Sequence, residues 1–145
     1  MRDKIGLGFV IAATYNAFIV VFSRGFSNEL GLIDPLFSGD GCIGIFLWGA
    51  AYIALAQRYQ VAPLAVLVFA FEKAFYAIHW ALWMSKNAEK LSSMIEADFL
   101  TGFFYSIYGV GDILFMCFFA WVAWRYRAQF WGPLSGAKNA TSSSE

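Results

Sequence analysis

Four long apolar runs, 5–23, 41–56, 63–83 and 99–124, are separated by short polar stretches along this chain. Each is within or near the roughly 17 to 25 residues that carry a helix across a hydrocarbon core, the second being the shortest. The pattern predicts an all-α membrane protein: a bundle of four transmembrane helices filling 1–131, with antiparallel neighbours. A disordered tail is expected over 132–145, where Ser, Gly, Ala, Asn and Thr replace the apolar residues. The link 57–62 is short enough to make helices two and three a hairpin, and Pro63 suits a first helical turn.

Lys and Arg set the direction of insertion. One side holds Arg2, Lys4, Arg58, Arg125, Arg127 and Lys138, the other only Arg24, Lys86 and Lys90, so both termini are expected in the cytoplasm. Trp80 and Trp83 then fall toward the outer interface, and Tyr59, Trp121, Trp124 and Tyr126 toward the inner one. The first run reads as an uncleaved helix and not as a signal peptide, because its apolar residues continue from Phe18 through Phe22, beyond a typical secretory core. The expected location is a bacterial inner (plasma) membrane.

The loops carry turn and cap signals. Asp34-Pro35 reads as a turn, and Ser38-Gly39-Asp40 can cap the second helix. Ser93 followed by Glu96 has capping-box spacing and is expected to start the fourth helix. The loop 24–40 mixes Leu, Ile and Phe with Gly and Ser, so it is expected to lie on the bilayer or over the bundle mouth.

Composition supports the membrane reading and excludes several functions. With 60% hydrophobic and 14% charged residues, the chain has more apolar surface than a soluble 145-residue domain can bury. Zero net charge and the lack of a Lys/Arg block set nucleic acid aside. Two Cys and one His cannot furnish a zinc or iron–sulfur site, no metal is expected, and no cofactor is assigned. Cys117 is expected to be a packing residue.

Ionisable groups inside a membrane cost roughly 2.5 to 3.5 kcal/mol each, so they mark either a site or a structural pair. Glu72, Lys73, His79 and Asp112 are the four here. On the third helix Glu72, Lys73, Tyr76 and His79 share one face, while Val68, Ala70, Phe71, Phe75, Ile78 and Leu82 are left for lipid. The fourth helix presents Tyr105, Tyr108 and Asp112 beside Gly102, Ser106 and Gly109, whose small size lets a neighbour approach. Counting along alternating helices puts Asn16, Trp48, Glu72, Lys73 and Asp112 near one midplane, with His79 and Tyr105 about 10 Å nearer the outer face. Lys73 and Asp112 are the expected ion pair. With two acids and one base in that layer, either an acid carries a proton or a cation enters, and Glu72 is expected to share a proton with Tyr76 or His79.

The segments Asp34-Pro35-Leu36-Phe37, Trp48-Gly49-Ala50-Ala51-Tyr52 and Phe71-Glu72-Lys73 have the look of signature blocks. By helix count the plan resembles small four-span bacterial membrane proteins, and more loosely the sterol-isomerase and DoxX-like groups; no activity carries over from that. The reading favoured by the residues is a bundle that binds a small apolar or lipid-like ligand in a polar-lined core built from Asn16, Trp48, Glu72, Lys73, Tyr76, His79, Tyr105, Tyr108 and Asp112. The alternatives are a subunit of a proton- or ion-coupled transporter, as a homo-oligomer, or an assembly partner in a larger membrane complex. Enzymatic activity is left open as the weakest of the readings, and acid–base isomerase chemistry on an apolar substrate is the form it would take.

Overall fold

The computed structural model describes residues 3–22 and 29–130, and among them every regular element is helical. The elements are α1 (Lys4–Phe22), α2 (Glu29–Ile33), a 3-10 turn (Pro35–Phe37), α3 (Gly39–Leu55), α4 (Pro63–Ala97), α5 (Phe99–Arg125) and a closing 3-10 turn (Arg127–Gln129). Three of them, α1, α4 and α5, are long and apolar enough to cross a membrane, and α3 is a shorter apolar helix of 17 residues. The expectations for residues 23–28 and for the tail 132–145 fall outside the described residues.

α1 packs chiefly on α3, and α4 chiefly on α5. The start of α1 and the α3–α4 link meet at one end, called basal below, where Phe9 stacks on Tyr59 at 5.5 Å and Tyr59 meets Tyr126 at 5.4 Å. There the Tyr59 phenol holds the Asp3 carboxyl below the usual carboxylate range, and burial pushes Tyr59 itself up to about 12. Small residues allow the close approaches. A side chain at Gly6 would run into the Ala56 carbonyl at 2.5 Å, and one at Gly111 would enter the Tyr15 ring.

Two apolar clusters fill the bundle. The basal one holds Phe9, Tyr52, Val66, Phe69, Phe119 and Val122, and the one toward the opposite, distal end holds Leu30, Phe37, Cys42, Phe104, Tyr105 and Tyr108. Outside them, Val68, Phe71, Phe75, Ile78 and Leu82 are exposed as a lipid-ready stripe of α4, whereas Ala70, expected on that stripe, is buried. Cys117, expected as packing, is exposed because its side of α5 faces away from the bundle.

The third helix does not stop at residue 83 but runs to Ala97. Residues 84–97 contain neither Gly nor Pro, so their polarity changes the solvent and not the backbone. Ser93 accordingly makes no cap, its hydroxyl donating back to the Lys90 carbonyl at 2.8 Å. Asp98 starts α5 instead, accepting from the amides of Leu100 (3.1 Å) and Thr101 (3.5 Å) and from the Thr101 hydroxyl (2.8 Å). Trp80 and Trp83 pack against α5. Trp80 Nε1 donates to the Tyr105 carbonyl at 2.7 Å, and Trp83 stacks on Tyr105 at 4.2 Å.

That pairing reveals the path of α4. Trp83 lies on Tyr105, and the Ile95 backbone lies against Gly102. Twelve residues of α4, about 18 Å of helix, therefore span three residues of α5, about 4.5 Å. The last three turns of α4 lean across the distal end of α5.

At that end the expected turn and cap are both present. Asp34 Oδ1 accepts from the Leu36 amide at 3.0 Å, and the Ser38 hydroxyl accepts from the Gly41 amide at 3.3 Å. Leu30 and Phe37 are buried between these caps, so this segment is built into the distal cluster.

Candidate acid–base centre

Between the two clusters, ten residues or about 15 Å from the start of α4, lies Lys73. Its side chain is 2% exposed. The ammonium has three protons; one goes to Asp112 Oδ1 and one to Asn16 Oδ1, each at 2.7 Å. The Asn16 amide is oriented by its own donation to the Ile45 carbonyl at 3.0 Å. Residues from α1, α4 and α5 thus meet at one atom, Nζ, and α3 is joined to it through Asn16. Around it stand the rings of Tyr15, Tyr52 and Tyr76, with centroids 5.5, 5.7 and 5.7 Å away, close enough for attraction to their faces.

Glu72 is the second acid. Its Oε1 is 3.8 Å from Lys73 Nζ, too far for a hydrogen bond, and its Oε2 accepts from the Tyr52 hydroxyl. The expected partners, Tyr76 and His79, are not used: Tyr52 reaches across from α3, while His79 lies a further two turns of α4 toward the distal end. Glu72 Oε1 and Asp112 Oδ2 are buried without a hydrogen-bond partner among the described residues. The centre therefore holds two carboxylates, one ammonium and two unused acceptor oxygens. Asn16, Glu72, Lys73, Tyr76, Tyr108 and Asp112 close on one another with no room for a water.

A second polar group lies toward the distal end. His79 Nε2 is 2.9 Å from Asp34 Oδ2, the aspartate being buried and the histidine side chain 35% exposed. Tyr105 interacts with Asp34 short of a formed hydrogen bond. Tyr108, one turn further along α5, interacts with both Asp34 and Asp112. The Tyr15 hydroxyl donates to the Tyr108 carbonyl.

Eight of the nine residues singled out from the sequence line these two groups. Trp48 does not: it sits partly buried at the basal cluster, edge-on to Phe69 at 6.2 Å. In its place is Tyr52, one turn along the same stripe. Tyr15 and Asp34 were also missed. Asp34 carried only a turn signal, and nothing in the spacing of Tyr15 separates it from an interface aromatic.

Fold and site together describe an all-helical protein with three helices long and apolar enough to cross a membrane and a buried acid–base centre between them. No protein family, curated protein or solved structure matches this chain.

Proposed function

We propose that the chain crosses the bilayer four times, with both termini cytoplasmic, and acts as a proton-responsive bundle in a proton-coupled transporter. α3 is the fourth crossing in this reading. It lies beside α1 and shares its buried polar contact through Asn16 and Ile45, and the 3-10 turn and α2 complete its distal end.

One observation carries the proposal: the charge imbalance of a closed centre. Lys73 neutralises Asp112 at 2.7 Å, which leaves Glu72 as a net negative charge in a space that admits no water. An unpaired buried charge costs several kcal/mol even after relaxation. A proton is the cation that fits the space, and the two carboxylates share it while Lys73 pairs with whichever lacks it. The closed centre offers no through path in one chain, so transport requires a second copy or another subunit, and the exposed apolar stripe of α4 is where such a partner would lie. Infrared difference spectra of the protein in vesicles, taken between acid and alkaline pH, test the site. A protonated-carboxyl band that titrates is expected in the wild type and is lost in Glu72→Gln, whose centre is neutral as Lys73 and Asp112 alone. A band that persists unchanged in Glu72→Gln, or a wild type without one, overturns the proposal.

A second reading, binding of an apolar or lipid-like ligand, is favoured by a different feature. Between the distal halves of α1 and α5 lies a cleft of ≈ 260 Å³, lined by Tyr15, Phe18, Phe103, Ile107 and Tyr108 among others, with no polar surface. Its occupant would be an acyl or prenyl chain entering from the bilayer. Native mass spectrometry of gently extracted protein is expected to retain such a molecule, with its occupancy reduced in Ile107→Trp; identical occupancy in both rejects this reading.

A further inference from the structure

We propose that the distal segment 34–37 is a latched lid on the acid–base centre: the contact between His79 and Asp34 holds it shut, and its release parts the helix pairs at the distal end and lets water reach Glu72, Lys73 and Asp112. The inference rests on the proton-responsive reading, to which it adds how a closed centre meets water.

The order of the chain divides the bundle into two hairpins. α1 and α3 pack on each other and are bridged by the Asn16 amide on the Ile45 carbonyl at 3.0 Å. α4 and α5 pack on each other and are bridged by Trp80 on the Tyr105 carbonyl and by Lys73 on Asp112, both at 2.7 Å. Each hairpin turns at the distal end, and the chain passes from one to the other once, through 56–62 at the basal end. There Tyr59 of the link touches both Phe9 and Tyr126, and the rings of Phe69 and Phe119 pack on Tyr52 at 4.8 and 4.9 Å. A covalent tether and stacked rings make the basal end the hinge, so the distal ends are the ones able to separate.

The lid belongs to the first hairpin. The Ser38 hydroxyl caps α3, the Phe37 carbonyl accepts from Cys42 Sγ at 3.6 Å, and a side chain at Gly41 would run into the Leu36 carbonyl. From that base Phe37, 1% exposed, reaches the second hairpin, edge-on to Phe104 at 5.1 Å and Tyr108 at 5.2 Å. The same residue helps wall the closed space around Asn16, Glu72, Lys73 and Asp112. Withdrawing Phe37 with α3 therefore opens the centre toward the distal end.

One polar contact ties the lid across. Among the described residues, His79 Nε2 to Asp34 Oδ2 at 2.9 Å is the one contact of hydrogen-bond length between 34–38 and α4 or α5. The Asp34 side chain is 2% exposed, and its Oδ1 is committed to the Leu36 amide at 3.0 Å, which keeps Oδ2 aimed at the imidazole. The histidine side chain is 35% exposed, so the latch sits at the rim, where water competes for both partners. The ring contacts of Phe37 have no such directional bond, which makes the latch the element whose loss releases the lid.

Cys42, 0% exposed and held against Phe37, is a native reporter of the lid. The test uses the full chain in lipid nanodiscs with Cys117→Ala, which removes the chain's other thiol, and a water-soluble thiosulfonate reagent. The labelling rate of Cys42 follows the fraction of time the distal end is open. His79→Phe, which keeps the ring and deletes the latch, is expected to raise that rate at least about tenfold, the size of effect that losing a hydrogen bond to a charged group carries. His79→Gln, whose amide can donate to Asp34, is expected to return most of it. A cysteine placed instead at Ala123, 1% exposed at the basal end, is expected to stay unlabelled in His79→Phe. The carboxyl band is expected to shift faster in D2O in His79→Phe as well. Unchanged Cys42 labelling in His79→Phe overturns the latch, and equal acceleration at position 123 overturns the hinge. Faster labelling without faster D2O exchange overturns the lid as the way into the centre. A wild type without a carboxyl band removes the proton-responsive reading, while Cys42 labelling still decides the latch, because it depends on no protonation state.

Discussion

In a Glu72→Gln background, Asp112→Leu is expected to lower the thermal stability of the protein in detergent by about 3 to 5 kcal/mol, and adding Lys73→Met is expected to return most of that loss. The Asp112 change deletes the anion 2.7 Å from Lys73 and leaves a 2%-exposed ammonium with only the Asn16 amide oxygen as a hydrogen-bond partner. Glu72 is neutralised first because its Oε1, at 3.8 Å, is the other anion to which Lys73 would swing. Stranding one member of a buried pair is the costly event; replacing both by apolar side chains of similar size is often neutral. The two residues touch, so their effects must not add, and the coupling is read from the double-mutant cycle. If the double variant melts as low as the sum of the singles, the pair is not the unit described above.

Gly109→Ala is the second large effect, and its sign runs against helix propensity. Alanine in an exposed helix interior gains up to about 1 kcal/mol over glycine. At Gly109, however, a methyl would land inside the Trp80 indole, at ring atoms Cγ, Cδ2 and Cε3 and not at a flexible tip. The indole would have to leave, and its 2.7 Å bond to the Tyr105 carbonyl and its packing at the distal cluster would go with it. Overpacking costs about 1 to 3 kcal/mol and the lost hydrogen bond about 1 more, so a net loss of roughly 1 to 3 kcal/mol is expected after the propensity gain. Gly44→Ala is the internal comparison, because nothing lies within 4 Å of the added methyl. It should be neutral or slightly stabilising. Thermal melts of both variants in one detergent decide the matter, and a Gly109→Ala protein as stable as Gly44→Ala would contradict the packing of α4 on α5.

Much of the centre was legible because helices are regular. A fixed rise turns residue number into depth, which is why Asn16, Lys73 and Asp112, far apart in sequence, could be assigned one level. The structure joins the three at Nζ. Rotation about each helix axis was less legible. Trp48 and Tyr52 lie on one stripe of α3, and only the packing of α3 on its neighbours decides that Tyr52 reaches Glu72 while Trp48 packs on Phe69. Asp34 was hidden for another reason. Its turn chemistry uses one oxygen, and the other acquires a role only because the distal segment folds back over α4. The end of α4 is not legible from polarity, because a helix crossing from apolar to polar surroundings keeps its backbone bonds in both.

The unequal helices make the bundle a wedge. Along their axes α1 and α3 measure about 28 and 26 Å, against about 52 and 40 Å for α4 and α5. A typical hydrocarbon core is about 30 Å thick. The apolar part of α4, 63–83, is about 31 Å and matches it, while the polar turns 84–97 stand beyond it. Under the proposed four crossings α3 is the mismatched edge, where the lipid thins or the bundle tilts at fractions of a kcal/mol per Å. A thicker bilayer then loads that edge alone, so membrane thickness becomes a lever on the tilt of the bundle and on how the α4 stripe is presented to a second copy.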